Sequence, residues 1–369
     1  MASGLTPVEI DHASDPRWDE FVRAHPAALV FHLSGWLGSL EREFGQVAVA
    51  LTCQDGAGRL QGILPLIRTR GMPLGIGGSA AGPRLSSLPR TPVAGPVATS
   101  PEASRVLVDA AIERARDLGV TLQLKTREPS LDKVDVRLGG TAWRMAYSRE
   151  LPDDPEELRF GSSRNNARIR WAVGKAQREG LRVRDAESEA DVRSWFRMYL
   201  DANRWHGQPS RPYRLFSAMW HLLAPTGAMR LLLVERSGDR RQAITGSILL
   251  MQNDTVFYVF NGRRREALSL RPNDLLQWHA MRDAAAAGYR RYDFGEVETV
   301  NASLADFKAK WGTEARPLYR YHAPPLTDEQ PGYGSLETRG ALRNLALAAW
   351  KRVPLPITAL AGDRLYRYL

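Results

Sequence analysis

LRPNDLLQWHAMRDAAAAGYRRYDFG, residues 270–295, reads as a helix that opens on a proline, closes on a glycine and runs into a strand. Proline suits the first helical turn, where its missing N–H has no partner to lose, and glycine suits the left-handed position that ends a helix. The pattern therefore predicts a helix over 272–287 and a strand over 290–294. Upstream, Met229 to Glu235, Ala243 to Met251 and Thr255 to Phe260 form a strand run broken by polar turns. The first half repeats this order. Val47 to Leu51 and Leu60 to Ile67 flank a turn at Gln54 to Gly58, a helix is expected from Pro101 to Leu118 with Gly119 at its end, and Val120 to Leu124 follows as a strand. Gly62 and Gly246 also stand at matching places in the two hairpins. A duplicated α/β unit explains the repetition economically, and chance recurrence of a common order is the alternative. LPDDPEE, beginning at Leu151, is acidic and proline-rich and reads as a linker. Gly71 to Pro96 reads as a loop.

Composition agrees with two domains. A chain of 369 residues is too long for one ordinary core, and 43% hydrophobic with 25% charged residues is usual for a globular protein. No long apolar run is present, and MASGLTPVEIDHASD lacks the basic and apolar regions of a secretory signal, so the expected location is cytoplasmic. Cys53, the single cysteine, excludes an internal disulfide and any zinc site needing paired cysteines; it reads as a structural thiol. A net charge of +10 and a pI near 9.9 suit phosphate-rich ligands, membranes or nucleic acid, although an arginine-rich composition alone reaches such values. Arg159 to Arg184 is strongly basic, with Glu179 its one acid, and reads as a phosphate-facing or simply solvated stripe that Ser162 or Ser163 caps.

YVFNG (258–262), the quoted helix, YDFG (292–295) and FKAKWG (307–312) occur together in one order that resembles the FemAB/FemX family of amine acylators. FHLSGWLGSLEREFG (31–45) resembles that family's opening helix, Ser162 to Ala172 its basic helix, and NRWHGQP (203–209) its arginine-bearing turn before a long helix. The resemblance implies an α/β (α+β) protein of two tandem GNAT-like domains with mixed central sheets flanked by helices. The expected limits are 1–150 for the N-terminal domain, 151–160 for the linker, 161–325 for the C-terminal domain and 326–369 for an extension. Its implied activity is that of a bacterial acyltransferase moving an acyl or aminoacyl group to a primary amine of a glycan precursor, lipid or small metabolite. Acyl-CoA or aminoacyl-tRNA would be the donor co-substrate, with no metal and no permanently bound cofactor. A FemX-type peptidyltransferase and a noncatalytic RNA- or membrane-binding module are the alternatives. Leu40 stands four residues after Trp36, where the family carries a lysine that helps hold the diphosphate of a nucleotide-linked cell-wall precursor, and no heptad-patterned insertion is present. The closer likeness is to Fem-like acyltransferases of exopolysaccharide, lipid or natural-product pathways.

Site candidates follow from the resemblance and from what acyl transfer requires: a neutral amine, a polarised carbonyl and a stabilised oxyanion. Lys308 matches the family lysine that stabilises the oxyanion, whereas Lys310 would face elsewhere on a helix. Tyr258 matches a tyrosine near the acceptor or the reacting carbonyl, or else is one of an aromatic strand with Phe257 and Phe260. Asp293 and Glu296 are candidates to take the amine's proton, with a turn-capping role as the alternative for Asp293. Arg204 matches an arginine that touches acceptor phosphate or carboxylate, and His206 is a candidate base. Trp205, Phe307 and Asn261 are further substrate-contact candidates. The usual pyrophosphate loop is missing before the second helix, so Arg263, Arg264, Arg265, Arg271 and Asn273 are the donor-phosphate candidates beside the helix amino terminus. Leu342, Leu345, Leu347 and Trp350 suggest an amphipathic tail helix broken by Pro354 and Pro356, docked on the first domain or touching a membrane surface.

Overall fold

A computed structural model describes residues 4–71, 82–236, 239–298, 301–325 and 347–368. These residues fall into two compact units, the first drawn from Met1–Trp143, Pro317–Leu345 and Arg364–Leu369, the second from Arg144–Arg316 and Ala346–Asp363.

The first unit contains β1 (Thr6–Ile10), α1 (Pro16–Ala24), α2 (Ser34–Phe44), β2 (Ala48–Gln54), β3 (Leu60–Thr69), β4 (Arg84–Ser86), β5 (Val97–Ala98), α3 (Pro101–Asp117), β6 (Thr121–Thr126), α4 (Leu131–Val134) and the start of β7 (Gly139–Glu150). From Pro317 on, β13 (Glu314–Ala323) belongs here as well. Its sheet runs β1-β2-β3-β4-β6-β13, antiparallel except between β4 and β6. Asp55 tightens the β2–β3 turn by accepting from the backbone N–H of Ala57 and Arg59. Ser100 caps α3, which lays Leu107, Val108 and Ala111 on Leu51, Cys53, Leu64 and Leu66 of the sheet. Cys53 is fully buried there, and burial pushes its thiol pKa up, as fits an inert core residue. Leu40 is also fully buried, so its place in the family's diphosphate-lysine pattern falls in a hydrophobic core.

The second unit continues β7 from Arg144 and adds α5 (Ser163–Arg178), β8 (Leu181–Asp185), α6 (Glu189–His206), α7 (Tyr213–Leu222), β9 (Met229–Arg236), β10 (Asp239–Gln252), β11 (Thr255–Arg263), α8 (Pro272–Ala286), β12 (Arg291–Val297), α9 (Ala302–Ala309) and most of α10 (Leu355–Leu365). The sheet order is β7-β12-β11-β10-β9-β8. Only β11 and β12 run parallel, joined by α8, the crossover helix that parallel strands require. Helices α5 and α8 share one core with Leu232, Leu249, Phe294 and Trp311. A second aromatic cluster gathers Trp195, Tyr199, Phe216 and Phe260 around α6 and α7.

Several sequence expectations change. The division falls inside β7 rather than at 150, and the stretch read as a linker, 151–160, buries Leu151, Leu158 and Phe160 in the second core. Its acidic, proline-rich surface residues hide those anchors. Residues 317–323, expected in the second domain, group with the first unit, where Tyr319 to Ala323 pair with β6. NRWHGQP begins within the last turn of α6, with Gly207 as its left-handed cap, and so ends a long helix instead of preceding one. The tail residues Leu342 and Leu345 lie outside the described residues; Leu347 to Trp350 are helical, and Pro356 sits in the first turn of α10 instead of breaking a helix. Residues 346–363 group with the second unit, where Arg214 pairs with Asp363 and Arg204 donates to the Val353 carbonyl.

Gly62 and Gly246 also serve different contacts. A Cβ on Gly62 would lie 2.9 Å from Leu107 of the crossover helix α3. On Gly246 it would lie 2.7 Å from Leu233 and 2.8 Å from Trp195 of α6, which is not the crossover helix of its unit. Gly262 faces Gly246 across the strand pair, and the Trp195 indole donates to the Gly246 carbonyl at 2.9 Å. The two glycines form a floor for Trp195. Gly246→Ala is expected to cost about 1–3 kcal/mol by overpacking. Gly119→Ala, at a left-handed φ of 62° with open space around it, should cost only about 1 kcal/mol. Urea unfolding of the full chain measures both; an unchanged stability of Gly246→Ala would mean that α6 yields.

Candidate active site

Strands β11 and β12 pair at three positions, the last of them Phe257 with Asp293, and then separate while both continue. The wedge so opened is shaped by Gly295. Its φ of 75° is open to glycine at little cost, and the β12–β7 register shifts between Asp293 and Glu296. Asp293, buried, accepts from the Gly295 N–H at 2.6 Å and fixes this bulge. The bulge presents two carbonyls to Lys308, whose Nζ donates to Gly295 O at 3.0 Å and Glu296 O at 3.1 Å.

Lys308 is 4% exposed on α9. Burial drives its pKa down to about 8, against the pull of the Glu296 and Asp293 carboxylates, and Arg144 adds a smaller push in the same direction as burial. The ammonium form therefore predominates at neutral pH and is lost in the mildly alkaline range. An ammonium has three N–H donors, and two are used by these carbonyls. A Cβ on Gly295 would lie 3.9 Å from Lys308 Nζ and 3.8 Å from the Tyr258 carbonyl oxygen, so the glycine leaves room between strand and lysine.

Tyr258 is partly buried, and burial raises its phenol pKa, offset by Ser247 and Gln277 beside it. It is a neutral donor, not a base. Gln277 accepts from Tyr292 at 3.0 Å, and Asn261 donates to Ser247 at 2.9 Å. Glu296 is clamped by Arg144 at 2.9 Å. Phe307 turns toward Lys310, whose ammonium lies 5.3 Å from the ring centroid and pairs with Asp274 at 2.7 Å. The two lysines of α9 therefore serve different neighbours.

The remaining candidates lie elsewhere on the unit. Arg204 is bound to Asp201 and to the Val353 carbonyl. His206 accepts from Arg263 at 3.1 Å, because a guanidinium can only donate. Burial lowers the His206 pKa, with Arg263, Lys351 and Arg265 adding to the effect. Arg263 is five residues beyond Tyr258 on β11, roughly 16 Å along an extended strand. His206 is thus a neutral ring with its lone pair engaged, away from the wedge. Trp205 carries Arg265 at 3.3 Å and Lys351 at 4.5 Å from its ring centroid.

Residues 161–309 match the family model described as the acetyltransferase (GNAT) domain. Over this segment the chain is similar to that family. Comparison with curated proteins by sequence gives no match. Among solved structures the chain is similar to FemX, with a TM-score of 0.63 and 16% identity over 87% of this chain and 97% of that one. It is also similar to the C-terminal domain of a putative lysylphosphatidylglycerol synthetase from Agrobacterium fabrum (TM-score 0.54, 15% identity, 92% and 96% covered). A third likeness is to L-PGS from Bacillus licheniformis (TM-score 0.55, 11% identity, 97% and 98% covered). At these identities the likeness is one of fold alone.

The second unit does not gather its five donor-phosphate candidates in one place. Arg264 donates to the Ala243 carbonyl, and Asn273 accepts from Thr245 at 2.8 Å. Arg263 and Arg265 turn to the end of α6. Arg271, at the left-handed cap of α8, lies 5.7 Å from the Trp171 ring centroid, which Lys175 approaches to 5.8 Å. Gln277, Ser247 and Arg144 were not singled out from sequence. Gln277 lies inside the quoted helix, but a polar residue in a helix carries no sign of facing inward. Lys308 is expected to titrate at about 8 when its Cε resonance is followed by NMR, and a value near the ordinary 10.5 would mean that its ammonium is solvated.

Proposed function

We propose that the protein is an N-acyltransferase, moving an acyl or aminoacyl group from a thioester or ester donor to a primary amine of a glycan precursor, lipid or small metabolite. The observation that carries this reading is the buried Lys308 at the β11–β12 wedge, whose ammonium is held by two β12 carbonyls and lies 5.7 Å from the Tyr147 ring centroid. When an amine attacks the donor carbonyl, its oxygen gains negative charge. A preoriented ammonium in a water-poor site stabilises that charge by several kcal/mol, by analogy with the loss of about 3–4 kcal/mol on removing one oxyanion donor. Tyr258, on β11 beside the wedge, has its phenol at Ser247 and Gln277 and serves to hold the acceptor side of the pocket.

The carboxylates take a different part from the proton acceptors expected. Asp293 is engaged by the Gly295 N–H and Glu296 by Arg144, and both raise the Lys308 pKa against burial. They keep the lysine charged. The amine proton then leaves with the departing thiolate or alkoxide, so that the donor's leaving group is released neutral. For the phosphate-bearing handle common to coenzyme A and tRNA, Arg271 and Lys175 beside the amino terminus of α8 offer the cations.

Lys308→Ala is expected to fold with an unchanged far-UV spectrum and to lose at least about a hundredfold in turnover. In the parent protein the rate should fall as pH rises through about 8, where the ammonium is lost, and that limb should vanish in the variant's residual activity. Full activity in Lys308→Ala would remove the lysine from the reaction. Parallel incubations with mixed acyl-CoAs and with charged tRNA, scored for donor consumption, identify the donor.

A further inference from the structure

The last described helix is built the wrong way round for a helix that ends in water. On α10, Thr358 and Gly362, one turn apart, face the protein. A side chain at 362 would strike the Ser210 carbonyl oxygen, so the glycine lets the backbone dock closely. Arg214 pairs with Asp363 and holds the same end. Ile357 and Leu360, three residues apart, are 55% and 52% exposed. Apolar and small polar positions have exchanged the places that burial in this protein would give them.

Cations stand at the segment that precedes this ridge. Lys351 and Arg352 immediately precede α10; Lys351 stands over the Trp205 ring, which Arg265 also covers, and Arg352 donates to its own helical turn at Ala348. Lys351, Arg352 and Arg265 make no ion pair with a carboxylate among the described residues. Trp205 is 42% exposed between its two cations. Exposed aliphatic side chains on α10, with an indole and uncompensated cations at and beside the segment before it, are groups that attach a protein to a bilayer interface. No described helix is long and apolar enough to cross a membrane, so this would be attachment from one side.

We propose that α10 and the segment before it dock the protein on an anionic membrane surface, with Ile357 and Leu360 entering the acyl boundary and Lys351, Arg352 and Arg265 facing lipid phosphates. Charge complementarity selects this occupant, since a ridge of two aliphatic residues is too small to hold a bilayer by apolar burial alone. The inference is independent of the acyl-transfer reading.

Cosedimentation of the full chain with vesicles provides the test. The protein is expected to pellet with vesicles of equal parts phosphatidylglycerol and phosphatidylcholine, to stay in solution with phosphatidylcholine alone, and to be released by salt of about 0.5 M. Ile357→Ser with Leu360→Ser should weaken sedimentation about tenfold while leaving the melting temperature and acyl transfer to a soluble amine unchanged. Lys351→Ala with Arg352→Ala should weaken it and flatten its salt dependence. A protein that ignores anionic vesicles overturns the proposal, as does unaltered sedimentation of the serine variant. Light scattering that shows a dimer dissolved by the same serine substitutions would also overturn it, by giving the ridge to a second copy.

Discussion

The second unit turns on one buried charge. An ammonium taken out of water must recover its hydration from fixed dipoles, and Lys308 recovers part of it from two main-chain carbonyls that a regular strand would direct to its neighbours. The Gly295 bulge turns them, Asp293 locks the bulge, and the parting of β11 from β12 provides the space. Each needs the others. Without the bulge the lysine would have no acceptors, and without the lysine the carbonyls would be buried acceptors in want of a donor.

A similar solution appears in the first unit. Lys125 on β6 is 3% exposed, and its ammonium donates to the carbonyls of Leu88 and Thr91. Those residues lie in a tight loop where Leu88 and Arg90 have positive φ, uncommon for side chains of that size. The buried cation fastens the loop to the sheet. Each unit thus buries a lysine against main-chain carbonyls, yet Lys125 comes from a strand and Lys308 from a helix, so the likeness is in the physics and not in position along the repeat.

The strands and crossover helices were legible because period and punctuation agree: Pro272 and Gly288 frame α8, as Pro101 and Gly119 frame α3. The wedge residues were legible only through the family motifs, since a lysine on a short helix gives no local sign of burial. Side-chain direction was the part that remained hidden. Arg263, Arg264, Arg265 and Arg271 look like one cluster in sequence, but a strand end, a short helical turn and a left-handed cap send them to different partners. The linker misled for the opposite reason. Its many surface acids outweighed Leu151, Leu158 and Phe160, which carry the packing.

The pairing of β13 with β6 bears on how the protein is made. During synthesis the ribosome must deliver the whole second unit before the first can receive its last strand, so β6 waits with an open edge. The order of emergence and the order of completion are therefore reversed for the first unit. Contacts so distant in sequence close late, because the loop entropy must be overcome before the pairing repays it.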